Sequence, residues 1–195
     1  LNLHCCLLSG GASRRMGQDK ALLPHPKGGC WLDHTLLQLA SLQAPITLLS
    51  RWPEHLMRAE TLALPQLQTL LEPEPWEGPL LALHRLMSLL PDQRLLLCPV
   101  DMPALNSDVL QDLSQAAEAE PEAIHLAHDG TRCQPLLGVY PSDAASRRSL
   151  ASAIATGERR LQTWLSAARC RSVSLDATAI RNVNSADELA QLPRL

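Results

Sequence analysis

Phenylalanine is absent from this 195-residue chain, and its aromatic residues are four tryptophans and one tyrosine. So few flat rings argue against a base-stacking platform for single-stranded nucleic acid, and they leave the core to leucine, alanine and valine. Charge of one sign is also scarce. Seventeen Lys and Arg stand against twenty Asp and Glu, a formal net charge of −3. That balance argues against a general nucleic-acid or membrane surface, because both demand a basic face; any positive field for an anionic ligand must be local. No run approaches the roughly 18 apolar residues that cross a bilayer, and the start of the chain shows no basic region followed by a long apolar segment. The expectation is a cytoplasmic protein. Cys5, Cys6, Cys30, Cys98, Cys133 and Cys170 include no Cys-x-x-Cys pair, and three of them sit in apolar runs. They read as free, buried thiols in a reduced compartment. The P-loop and Gly-x-Gly-x-x-Gly signatures are missing as well.

What is present is ordinary for a globule: 46% apolar and 19% charged residues, in a length that fits one domain spanning 1–195. Short apolar runs at Leu3–Leu8, Ile46–Leu49, Leu67–Leu71, Leu95–Cys98 and Ala123–Ala127 read as strands. Helical spacing occupies Leu32–Leu42, Pro79–Leu90, Ser107–Ala119 and Asp143–Ala155, and Pro53, Pro79 and Pro141 are placed at helix starts. This alternation predicts an α/β fold, a Rossmann-like three-layer sandwich with a mostly parallel sheet covered by helices on both faces. Ligands of such sheets bind beyond the carboxyl ends of the strands.

Three strings fall at that edge. Leu8-Ser9-Gly10-Gly11-Ala12-Ser13-Arg14-Arg15-Met16-Gly17-Gln18-Asp19-Lys20 follows the first strand. Its paired glycines let the backbone turn and approach a ligand without a Cβ in the way, and Arg14, Arg15 and Lys20 bring cations suited to a polyphosphate. In Cys98-Pro99-Val100-Asp101-Met102-Pro103 one carboxylate stands between prolines at a strand end, a position suited to Mg²⁺ shared with substrate phosphates. Near the end, Asn182 and Asn184 alternate along an extended piece that follows a strand-like segment through Ile180. They point the same way, where their amides can complete a metal shell or hold phosphate and hydroxyl groups. Ser185 and Glu188 read as the capping box of a final helix.

Together with Gly78-Pro79-Leu80, His128-Asp129-Gly130 and Gly157-Glu158-Arg159-Arg160, these strings resemble the molybdenum cofactor guanylyltransferases, a group of MobA-like nucleotidyltransferases. The resemblance implies transfer of GMP from GTP to molybdopterin with Mg²⁺ and release of pyrophosphate, and hence GTP and molybdopterin as partners. Apo-molybdoenzymes or their chaperones would receive the product. Carried over residue by residue, it places Leu8, Ser9, Gly10 and Gly11 at the guanine nucleotide, with Lys20 and Arg15 on the phosphates. Asp101 lies at the shared nucleotide and Mg²⁺ position. Ser50 and Glu72 fall where the family more often has Asn and Asp for the nucleoside, and Gly78 in the segment that approaches the cofactor. Asp101, Arg15 and Lys20 are then the catalytic set, and Arg159-Arg160 fits a molybdopterin phosphate. Two other readings stay open: a cytidylyltransferase for the same cofactor, or a sugar-phosphate nucleotidyltransferase. A third is an inactive nucleotide-binding carrier. The Gly10-Gly11 pair favours guanine.

Overall fold

Cys5 and Cys6 are adjacent and both fully buried, yet they belong to different hydrophobic cores. Successive side chains of a strand face opposite sides of its sheet, so two cores require a sheet covered on both faces. The computed structural model, which describes residues 2–11, 19–184 and 188, shows that sheet with seven strands. In chain order they are β1 (Asn2–Leu8), β2 (Ile46–Ser50), β3 (Leu67–Leu71), β4 (Gln93–Pro99), β5 (Ile124–His128), β6 (Cys133–Pro141) and β7 (Cys170–Ser174). Helices α1 (Trp31–Ala40), α2 (Pro53–Glu60) and α4 (Ser107–Ala119) cover the face to which Cys5, Leu48, Leu96 and Cys98 point. Helices α3 (Pro79–Leu89), α5 (Ala144–Ala155) and α6 (Leu161–Ser166) cover the Cys6, Leu95 and Leu97 face. With no Phe available, leucine fills most of both layers, joined by Trp31 on α1 and Tyr140 on β6.

The strand order is β3-β2-β1-β4-β6-β5-β7, parallel except that β6 runs antiparallel to both its neighbours. Because β1 to β4 are parallel and in register, Leu8 lies beside Leu49 and Pro99, and Ser50 beside Leu71. The chain therefore leaves four adjacent strands along one edge, and that edge carries Ser9-Gly10-Gly11, Arg51, Glu72 and Asp101. Helix starts follow local chemistry. Pro53 and Pro79 occupy first-turn positions of α2 and α3, where a missing N–H costs little. Asn106 and Asp143 accept the backbone N–H of Val109 and Ser146 at 3.1 and 2.8 Å, capping α4 and α5.

Two sequence expectations need correction. Pro141 does not start a helix; it ends β6, opposite Arg94 of β4, and α5 begins three residues later after the Asp143 cap. Strand β6 itself escapes sequence reading because Pro135 and Gly138 break its pattern. The register between β5 and β6 jumps from Leu126–Gly138 to Ala127–Gln134, so the bulge accommodates Pro135, which has no N–H to give. The segment through Ile180 is a turn, not a strand, and residues 181–184 run on without strand pairing. Ser185 lies outside the described residues. Among those described, no helix is long and apolar enough to cross a membrane.

Candidate active site

A cleft of about 260 Å³, open to solvent, lies along the carboxyl ends of β1 to β4. Leu8, Ser9, Gly10 and Gly11 form its floor where β1 runs out. The Ser9 N–H is still held by Leu49 O at 3.1 Å, so the turn begins only at Gly10. A Cβ on Gly10 would come within 3.1 Å of the Glu72 carboxylate, whereas one on Gly11 would meet nothing among the described residues within 4 Å. The need for a bare backbone therefore falls on Gly10, where sequence reading shares it between the two. Gly78, with φ of +98°, occupies a backbone region that favours glycine and leads directly into Pro79 of α3.

His55, on α2, is a residue that sequence reading passes over. It is buried below the loop, its Nδ1 lies 2.8 Å from Ser9 Oγ and 3.0 Å from Ser50 Oγ, and its Nε2–H donates to Asp19 Oδ2 at 2.5 Å. Ser50 Oγ–H in turn donates to Ser9 O at 2.8 Å. One imidazole thus ties the start of the glycine loop to Asp19, at its far end. Ser50 is fully buried in this network and does not line the cleft, so its hydroxyl serves Ser9 from beneath. The available signal is weak, one histidine among several polar residues of a short helix. Glu72 does line the cleft, and Arg85 Nη1 on α3 donates to one of its oxygens at 2.7 Å.

At the other half of the cleft four residues from distant parts of the chain converge. Lys20 Nζ donates to Asn184 Oδ1 at 2.8 Å and stands 3.9 Å from Asp101 Oδ2. Asn182 Nδ2 donates to Asp101 Oδ1 at 3.1 Å, and the Val183 N–H donates to Asp101 O at 2.9 Å. Val183 is fully buried between the two asparagines, so alternation along an extended chain puts both amides on the site side, as the spacing predicts. Burial pushes the Asp101 carboxyl above the usual aspartate value, and Lys20 and Asn182 only partly offset it. Asn182 Oδ1 is buried with no hydrogen-bond partner. A buried carbonyl oxygen without a donor, beside a carboxylate, is what a hard cation would satisfy. Among the described residues no three His, Cys, Asp or Glu side chains converge. A cation here would take the rest of its shell from phosphates and water, the usual habit of Mg²⁺. Arg15 lies outside the described residues. Arg159 does not line the cleft; it is ion-paired with Glu77, next to Gly78.

A family model described as "MobA-like NTP transferase domain" matches residues 5–173. A probable molybdenum cofactor guanylyltransferase of Rhodopirellula baltica is 34% identical over 188 residues, 94% of this chain and 88% of that protein. A probable molybdenum cofactor guanylyltransferase of Mycobacterium tuberculosis is 35% identical over 185 residues, 92% of this chain and 88% of its own. Among solved structures, molybdopterin-guanine dinucleotide biosynthesis protein A of Archaeoglobus fulgidus superposes with a TM-score of 0.75 at 18% identity, covering 97% of this chain and 96% of that one. At that identity the likeness speaks for the fold.

Proposed function

The chain belongs to the family of MobA-like NTP transferase domains, and on that footing we propose that it transfers GMP from GTP to molybdopterin. The full-length relatives named for that activity support the choice of nucleotide and acceptor. The observation that carries the chemistry is the convergence of Lys20, Asp101, Asn182 and Asn184 at the carboxyl end of β4. Asn182 and Asn184 lie beyond the stretch matched by the family model yet complete its centre, which supports reading residues 1–195 as one transferase domain.

In the reaction an oxygen of the terminal phosphate of molybdopterin attacks the α-phosphorus of GTP. A new P–O bond forms as the bond from the α-phosphorus to the bridging oxygen breaks, and pyrophosphate leaves with the electron pair. The attacking phosphate is already ionised, so no general base is required. What the protein must supply is in-line placement and charge stabilisation. Lys20, fixed by Asn184, is positioned for the phosphates; Arg15, from the same loop, is the second cation assigned to them. Asp101 and Asn182 would hold Mg²⁺ with their oxygens. Bound there, the ion would polarise the α-phosphate and offset charge on the leaving group. The glycine loop and Glu72 face the nucleoside half of the cleft.

Purified protein incubated with molybdopterin, Mg²⁺ and either GTP or CTP tests the reading through pyrophosphate release. GTP is expected to be the faster substrate by at least tenfold. Equal or faster release with CTP would overturn the guanylyl assignment.

A further inference from the structure

Two of the chain's four tryptophans, Trp52 and Trp76, stand 37% and 46% exposed although the core is short of aromatic rings. Between them lies Arg51. Its guanidinium carbon is 4.7 Å from the Trp52 ring centre and 5.2 Å from that of Trp76. Each indole is also tied to the cleft: Trp52 Nε1–H donates to Gly11 O at 3.4 Å, and Trp76 Nε1–H donates to Glu72 O at 3.0 Å. Arg51 and Trp76 both line the cleft. The Arg51 Nε is buried and has no hydrogen-bond partner, and the ion pairs among the described residues do not include this side chain.

We propose that Arg51, held in plane by Trp52 and Trp76, is the residue that selects guanine, by donating to O6 and N7 of the base. The inference rests on the nucleotidyl-transfer reading above. Position supports it. Along the order β3-β2-β1-β4, Lys20 and Asp101 mark the phosphate end beside β1 and β4, while Arg51 and Glu72 follow β2 and β3. A triphosphate anchored at Lys20 therefore directs its base towards Arg51. Chemistry supports it too. This half of the cleft is walled by indole and by a carboxylate, surroundings that disfavour a phosphate. Guanine presents two adjacent acceptors, O6 and N7, that match the two-pronged donor face of a guanidinium. Adenine and cytosine each place an amino donor there, which Arg51 would repel. The second oxygen of Glu72, on the side of Gly10, suits the N1–H donor next to O6, which inosine keeps. Stacking against two rings strips water from the guanidinium and fixes its plane, so a lysine cannot replace it.

The test uses the full chain and measures nucleotide binding by calorimetry, without turnover. GTP, 7-deaza-GTP (which lacks N7), ITP (which keeps O6 and N7), ATP and CTP are titrated into wild type, Arg51→Gln and Arg51→Lys. Wild type is expected to bind ITP within a few-fold of GTP and 7-deaza-GTP about tenfold more weakly. Both variants should lose the distinction between GTP and 7-deaza-GTP, and should bind GTP about ten- to a hundredfold more weakly while CTP binding stays unchanged. The comparison of GTP with 7-deaza-GTP needs only wild type, so it holds even if a variant folds poorly. Equal losses for GTP, ATP and CTP in the variants would make Arg51 a phosphate ligand, and no loss would make it a structural clasp; either result overturns the proposal. A wild type that prefers CTP would overturn the guanylyl reading instead. A GTP-selective wild type whose selectivity survives Arg51→Gln would overturn this proposal alone.

Discussion

The imidazole of His25 lies flat on that of His34, ring centres 3.9 Å apart and planes 9° from parallel. Each ring donates Nε2–H to a backbone carbonyl of the loop that follows Asp101, His25 to Pro103 O and His34 to Leu105 O, both at 2.8 Å. His25 Nδ1 meanwhile accepts the Lys27 N–H at 3.2 Å. The pair therefore pins the segment that carries Asp101 to α1 and to the turn before it.

Loss of that pin should be felt at the position proposed for Mg²⁺. His34→Ala strands a buried carbonyl, at about 1–3 kcal/mol in stability, and should raise the Mg²⁺ concentration needed for half-maximal activity. His34→Gln, whose amide can still donate to Leu105 O, should recover most of both. Thermal melts beside a Mg²⁺ titration of activity check this, and equal behaviour of the two variants would contradict it.

Burial, aided by the neighbouring His25 and Lys27, holds His34 below its ordinary value of 6.5, and burial lowers His4 and His125 as well. As pH falls below 6.5 the unfolded chain therefore takes up protons before the folded one does, so stability is intact above that value and declines beneath it. Tm measured from pH 8 down to pH 5 should fall in this window, and His34→Gln should flatten the fall. A Tm independent of pH across that range would contradict the expectation.

Asp101→Asn should fold at least as well as wild type. Burial raises the Asp101 carboxyl above its ordinary 3.8, so the charged form costs stability that grows as pH rises through the folded value, and the amide removes that cost. Turnover should drop by roughly a hundredfold, the scale for losing one charge-stabilising group. Circular dichroism beside pyrophosphate release separates the two effects.

Lys20→Ala should reduce turnover or GTP affinity by about ten- to a hundredfold, since a contact to a charged phosphate contributes roughly 1.5–3 kcal/mol. Arg147 on α5, whose ion pair to the exposed Asp92 spans 3.9 Å, should tolerate alanine with almost no effect. Steady-state kinetics with GTP and Mg²⁺ varied separately would show the contrast.

The glycine pair makes a sharper comparison. Gly10→Ala pushes a methyl against the Glu72 carboxylate and should raise the KM for GTP roughly fivefold, about 1 kcal/mol. Gly11→Ala should stay near wild type. The reverse order would place the close approach at Gly11 after all.

Most of the architecture was legible in the sequence because local chemistry and burial agree there. Apolar runs bounded by turns became β1 to β5, and Ser107–Ala119 is a helix over the span its periodicity marks. Strands β6 and β7 and helix α6 are not legible there: Pro135 and Gly138 break the β6 pattern, β7 is half exposed at the sheet edge beside β5, and α6 has only six residues. Asp101, Lys20, Asn182 and Asn184 could be named from motif strings, since their residue types and positions beside turns announce chemistry without coordinates. Their convergence could not. Lys20 and Asn184 are separated by 164 positions and meet only because parallel strands β1 and β4 end side by side. Tertiary structure alone turned Ser50 inward, set His55 beneath the glycine loop, stacked His25 on His34 and placed Arg51 between two indoles. Histidine, arginine and tryptophan fit many surroundings equally well, so their partners depend on which segments the sheet order makes neighbours.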